Sequence, residues 1–150
     1  VGQSTPGAMT PVELQPPQTR EISEGEIIFF DKGRHTGLTG TQMKAIKNSN
    51  HIERDIVQHT NPMGILIQGD KAVGLILCAI EPGDYTAGIG WMDPIEATII
   101  HVEIDADYHD KKLCTIFVSF IIYQLKLMGI KLIKMKNTSV TVSKSRPGPP

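Results

Sequence analysis

The sequence predicts an α+β fold, α/β in the broad sense, with a mixed central sheet flanked by helices. Three stretches carry that prediction. Ala97–Asn137 reads as strand, short loop, apolar helix and strand; strands joined by a helix lie parallel with a right-handed crossover. Met63–Gln68 (MGILIQ) and Ala72–Ile80 (AVGLILCAI) are apolar runs separated by Gly69, Asp70 and Lys71, a hairpin signal and so an antiparallel pair. Glu26–Phe30 (EIIFF) is a further strand, followed by helical patterning over Gln42–His59. Parallel and antiparallel pairs in one chain, with helices between them, make a mixed sheet.

Taken in order, residues 1–24 hold Pro6, Pro11, Pro16 and Pro17 among polar side chains. Such a stretch buries too little to order itself, so 1–25 is expected to be a flexible, Pro-rich tail. Asp31, Lys32 and Gly33 end the first strand. Thr39, Gly40 and Thr41 open a capped helix in which Met43, Ile46, Ile52 and Ile56 keep a loose helical spacing. Asn48, Ser49 and Asn50 offer a break into two. Asn61 and Pro62 turn into the hairpin, and the EPGD run Glu81–Asp84 turns out of it. Tyr85–Glu96 is expected to be a loop anchored by Trp91. Its Gly88 and Gly90 are no phosphate loop, lacking a strand before and a helix after. Ala97–Ile104 is rich in β-branched residues. Asp105–Lys112 is polar and carries a loop. Cys114–Met128 is long enough for a helix, with Gly129 where a helix C-cap belongs. Ile116, Phe117, Phe120, Ile121 and Leu127 are its expected core residues, and Thr115, Ser119, Tyr123 and Lys126 its polar stripe. Lys131–Met135 is a second short strand. The expected domain is 26–138, and 139–150, ending in RPGPP, is a flexible C-terminal tail.

At 150 residues and 40% apolar content, this is one domain with a real core. A net charge of −1 predicts no nucleic-acid partner and no charged membrane surface. The distribution is less even: from Asp110 onward, eight Lys or Arg face that one Asp. An anionic ligand near the C-terminal part is one reading, and solvated lysines are the other. Cys78 and Cys114 sit in apolar runs, which makes them buried free thiols rather than a disulfide framework. No Cys/His spacing suggests a metal. Unpaired thiols point to the cytoplasm. The apolar run within Cys114–Met128 is broken by Ser119, Gln124 and Lys126 and is too short to cross a bilayer. A chain opening at Val1 without Met reads as a piece of something longer.

The chemistry-bearing residues gather around the strand ending at Ile104. The corner between that strand and the helix near Cys114 offers backbone N–H groups and the positive end of a helix dipole, a seat for phosphate. His101 and Glu103 stand two apart on the strand and therefore share a face. If that face opens on a cleft, Glu103 serves as a general base, directly or through water, with His101 beside it. The structural alternative is a solvated face or pairing with lysines. His109 is either a phosphate contact or an exposed loop histidine. Tyr108 is expected to pack at the helix start. Cys114 is either a thiol activated by the helix end or a packed one.

Gly64–Asn137 resembles the core of the GNAT family of N-acetyltransferases. That family has a hairpin, then a central strand whose end reads roughly V-x-P-x-Y-(R/Q)-G-x-G-(I/L)-G. A helix follows, with a Gly near its end, and then a strand closing on Asn. Here the corresponding run is IDADYHDKKLC, from Ile104 to Cys114, and Tyr108, Leu113, Gly129 and Asn137 match in type. The chain departs from the pattern at Lys112 and Cys114, where the family has Gly, and at His109, where it has Arg or Gln. It also lacks the family's final helix, Tyr and strands after Asn137. The resemblance implies an acyl-CoA N-acyltransferase-like fold and acetyl-CoA as cofactor. Ile104, His109, Lys111, Lys112, Leu113, Cys114 and Asn137 would be the cofactor-binding residues, and Glu103 and His101, proposed above from their shared face, would serve such a transfer as the catalytic ones. The acceptor would be an amine of a small molecule or protein. The departures imply the alternative, a catalytically inactive GNAT-like binding or structural module of a larger assembly, with a second copy completing the sheet.

Overall fold

The computed structural model describes residues 17–31, 37–59, 61–81, 85–86, 90–91, 96–136 and 141–143. In chain order the elements are β1 (Gln18–Ile22), β2 (Gly25–Phe30), α1 (Gly40–Lys47), α2 (Asn50–Gln58), β3 (Met63–Gln68), β4 (Lys71–Ile80), β5 (Tyr85–Thr86), β6 (Gly90–Trp91) and β7 (Glu96–Asp105). A 3₁₀ turn (Ala106–Tyr108), α3 (Lys111–Leu127), β8 (Leu132–Met135) and β9 (Thr141–Ser143) follow. The sheet runs β1-β2-β3-β4-β7-β8, with β9 also paired to β7. Its first five members are antiparallel neighbours, whereas β8 and β9 lie parallel to β7. The mixed sheet flanked by helices is therefore present, and the strand–helix–strand unit closes as a parallel pair.

Local chemistry accounts for the element ends. Thr39 and Gln42 form a reciprocal capping box at α1, the Gln42 amide donating to Thr39 Oγ1 at 3.1 Å and the Thr39 amide to Gln42 Oε1 at 2.9 Å. The helical segment breaks at Asn48 and Ser49, as the polar run there predicts. At the far end of α3, Gly129 takes φ +98°. Its amide donates to Lys126 O and that of Ile130 to Leu125 O, the two bonds of a Schellman ending. Ile130 and Leu125 are both buried, which seals that ending apolarly.

The sheet carries a core on each face. Under α3, Val73, Ile76, Cys78, Ala97, Ile99, Val102 and Ile104 pack with Phe117, Phe120, Ile121 and Leu125. Under α1 and α2, Ile28, Phe30, Ile65 and Leu75 pack with Ala45, Ile46, Ile52 and Ile56. The α3 side is tight because two strand positions lack side chains. A Cβ at Gly74 would stand 3.0 Å from Phe117, and one at Gly64 would run into Ile121.

Several elements differ from the sequence reading. α3 starts at Lys111, not Cys114, because Asp110 is its N-cap. Lys111, Lys112, Leu113 and Cys114 therefore form its first turn, not a loop. Leu127, expected in the core, is 64% exposed, since it lies on the far side of the last turn. Two strands lie in stretches whose composition predicts tails. β1 is held by antiparallel pairing along the whole of β2, and β9 by pairing with Glu103–Asp105. Backbone pairing to a neighbouring strand is what both have in common. Within the stretch expected to be one loop, β5 and β6 form a minimal antiparallel pair.

Candidate acid–base site

β7 pairs with β4 from Ala97 to Ile104, and its register shifts between Leu77 and Cys78 of β4. Leu77 faces His101 and Cys78 faces Ile99, which leaves Ile100 as the extra residue. Strand side chains alternate faces, and one extra residue reverses the alternation. Before the bulge, Ala97 and Ile99 point under α3; after it, Val102 and Ile104 do. His101 and Glu103 are thereby turned to the opposite face. There they stand opposite Leu77 and Leu75, at the border of the core beneath α1 and α2.

α2 supplies a third group. Its first turn holds His51, and the α1–α2 junction is tied to the β3–β4 turn by Asn48 Nδ2 donating to Asp70 O at 2.7 Å. His51 Nε2 lies 2.6 Å from Glu103 Oε2, and His101 Nε2 lies 3.1 Å from Glu103 Oε1. Glu103 is buried, at 9% exposure, and both imidazoles are partly open to solvent. Next along the strand, the buried Asp105 faces Lys71 Nζ at 3.6 Å. A carboxylate anchored between two solvent-facing imidazoles can accept and pass protons. Among the described residues there is no group of three or more side chains that could hold a metal ion.

The structure thus brings His101 and Glu103 together as their spacing predicts, and adds His51. No sequence pattern joins His51 to Glu103, 52 positions away. Only the packing of α2 on the sheet does so.

The expected phosphate corner lies on the other face, at the start of α3. Ile104 is fully buried in the core there and offers no side chain to a ligand. His109, Lys111 and Lys112 are exposed, and Leu113 and Cys114 are half-buried against the core. Tyr108, expected to pack, is 37% exposed. Asn137 lies outside the described residues. Desolvation by burial raises the Cys114 thiol above its ordinary value, so the helix start does not activate it. Asp110 caps the helix, Oδ1 accepting from the Lys112 amide at 2.8 Å. An open cleft of about 330 Å³ adjoins this end, lined by Glu24, Gln68, Asp110, Lys112, Leu113 and Ile116 among others. For a diphosphate the corner is divided. Lys111 and Lys112 fit it by charge, while the Asp110 carboxylate occupies an amide that it would use.

No protein-family model and no curated protein matches the chain.

Proposed function

We propose that the chain is an N-acetyltransferase of the GNAT type, using acetyl-CoA to acylate an amine of a small molecule or protein. One observation carries the reading: a buried Glu103 held between two imidazoles on the central strand of a hairpin–strand–helix–strand unit. That is the order of elements the resemblance implies, and its central strand carries the His101–Glu103 pair whose spacing puts both on one face. The cofactor would supply an activated acyl group. The chain's own contribution is to strip a proton from the amine, for which the Glu103–His101 pair stands ready. Lys111 and Lys112 are the residues placed to meet phosphates.

A second reading has its own support. Asp110 caps α3 where phosphates would seat, and β9 pairs along the edge of β7 at Glu103–Asp105. Both features suit a GNAT-like module that binds or braces without turnover. Melting the protein with and without millimolar acetyl-CoA separates the two. A ligand of the folded state raises the midpoint with its occupancy; an unmoved midpoint leaves the non-catalytic module. For solubility and anchorage the finding is narrow: among the described residues no helix is long and apolar enough to cross a membrane.

A further inference from the structure

Both carboxylate oxygens of Glu103 are taken by imidazole nitrogens, Oε2 by His51 Nε2 and Oε1 by His101 Nε2. An ionised carboxylate only accepts, so in the neutral state each Nε2 has to carry the hydrogen. The basic lone pair of each ring is then at Nδ1. Among the described residues, neither imidazole has another polar partner. Exposure points the same way: the side chains of His51 and His101 are 47% and 36% exposed, that of Glu103 only 11%. A molecule arriving from solvent meets an imidazole before it meets the carboxylate.

We propose that His51 and His101 are the groups that exchange protons with a substrate, each at Nδ1. Glu103 is the positioning residue that fixes both rings in the Nε2–H form. The proposal rests on the reading of this cluster as a reaction centre and deepens it by naming the atoms and by adding His51. An amine proton taken at Nδ1 makes that ring an imidazolium, whose Nε2–H keeps its hydrogen bond to the Glu103 carboxylate. The same exposed ring then returns the proton to solvent.

The test uses the full chain with ¹⁵N-labelled histidine and long-range proton–nitrogen spectra at about pH 8.5, above the usual imidazole range. His51→Asn and His101→Asn assign the signals. Both rings are expected in the Nε2–H form. His59 is the internal standard, because its Nε2 faces the carbonyls of Cys78 and Pro62 at 3.0 and 3.3 Å and must donate. In Glu103→Gln the amide offers one oxygen and one NH₂. One of the two rings must then turn its Nε2 into an acceptor and move its hydrogen to Nδ1, while His59 stays as it was. A Nδ1–H ring in the wild type, or two unchanged rings in folded Glu103→Gln, overturns the proposal. Should Glu103→Gln not fold, the wild-type spectrum and that of His101→Asn, in which His51 must keep its Nε2–H form, decide the matter alone. In an acetyl-transfer assay His51→Asn is expected to lower kcat at least tenfold and leave acetyl-CoA affinity unchanged; unchanged kcat overturns the role. The spectra need no cofactor, so a melting point unmoved by acetyl-CoA removes the transferase reading and leaves the ring tautomers to be judged separately.

Discussion

The two faces of β7 make different uses of one strand. On the α3 side, Ala97, Ile99, Val102 and Ile104 join an unbroken apolar core. On the other side, His101, Glu103 and Asp105 stand among polar partners. A single extra residue, Ile100, divides the two arrangements. With straight alternation, His101 and Glu103 would follow Ala97 and Ile99 under α3, and an unpaired carboxylate would sit in hydrocarbon, at a cost of several kcal/mol. The bulge therefore does two things at once. It keeps the apolar face continuous, and it turns an ionisable pair outward to meet α2. Along β7 one face is wholly core, while the other carries ionisable groups at the border of the second core.

The largest expected effect lies on the apolar face. Phe117 is fully buried and packs over Gly74 and Gly64. Phe117→Ala should cost about 3–5 kcal/mol, read as a lower denaturant midpoint, because glycines opposite it have no side chains to fill the hole. If the two faces are as separate as they look, the imidazole tautomers of the surviving folded fraction do not change.

The same face holds the one thiol with a strong pH signature. Burial pushes Cys78 from 9.0 up to about 12. The folded state keeps this proton when the unfolded chain has lost it, so the contribution is complete below pH 9 and is lost as pH rises toward 12. Relative to Cys78→Ala, wild-type stability should fall by about 1.4 kcal/mol per pH unit across that window. Parallel pH curves for the two proteins would show that the site opens to water before the thiol titrates. Between pH 7 and pH 8 the thiol should ignore alkylating reagents until the protein unfolds.

Much of the fold could be read from residues alone, since it rests on local pattern. The MGILIQ and AVGLILCAI runs, the capping threonine, the polar break at Asn48–Asn50 and Gly129 each act within a few positions. The spacing of His101 and Glu103 also placed them on one face. What stayed hidden depends on distant partners. The tail-like QTREI becomes a strand only because β2 offers it an edge. Asp110 displaces the expected helix start because its carboxylate meets the Lys112 amide. His51 enters the site through the packing of α2, and no spacing in the chain announces that.

On the polar face the effect on stability should be smaller and the effect on chemistry larger. Glu103→Ala leaves two imidazoles without their acceptor and should cost about 1–3 kcal/mol. On the transferase reading it should also lower turnover on the order of 10²- to 10⁴-fold. A loss of activity no larger than the loss of folded protein would reduce Glu103 to a structural acceptor and make the two faces equivalent.

The smallest change in stability bears most directly on the choice between the two readings. Asp110→Ala removes the α3 cap and should cost about 1 kcal/mol. It also removes a negative charge from the helix end and frees the Lys112 amide. If acetyl-CoA seats its phosphates there, affinity measured by titration calorimetry should rise in Asp110→Ala despite the lower stability. It should fall in Lys112→Glu, which puts a like charge beside the same group. Opposite responses in the two variants are hard to produce from a general loosening of the fold, which would weaken binding in both. If neither variant changes the affinity, the helix end is not the phosphate seat. If neither binds, and the wild type does not bind either, α3 is a capped structural helix and the non-catalytic module is the reading that stands.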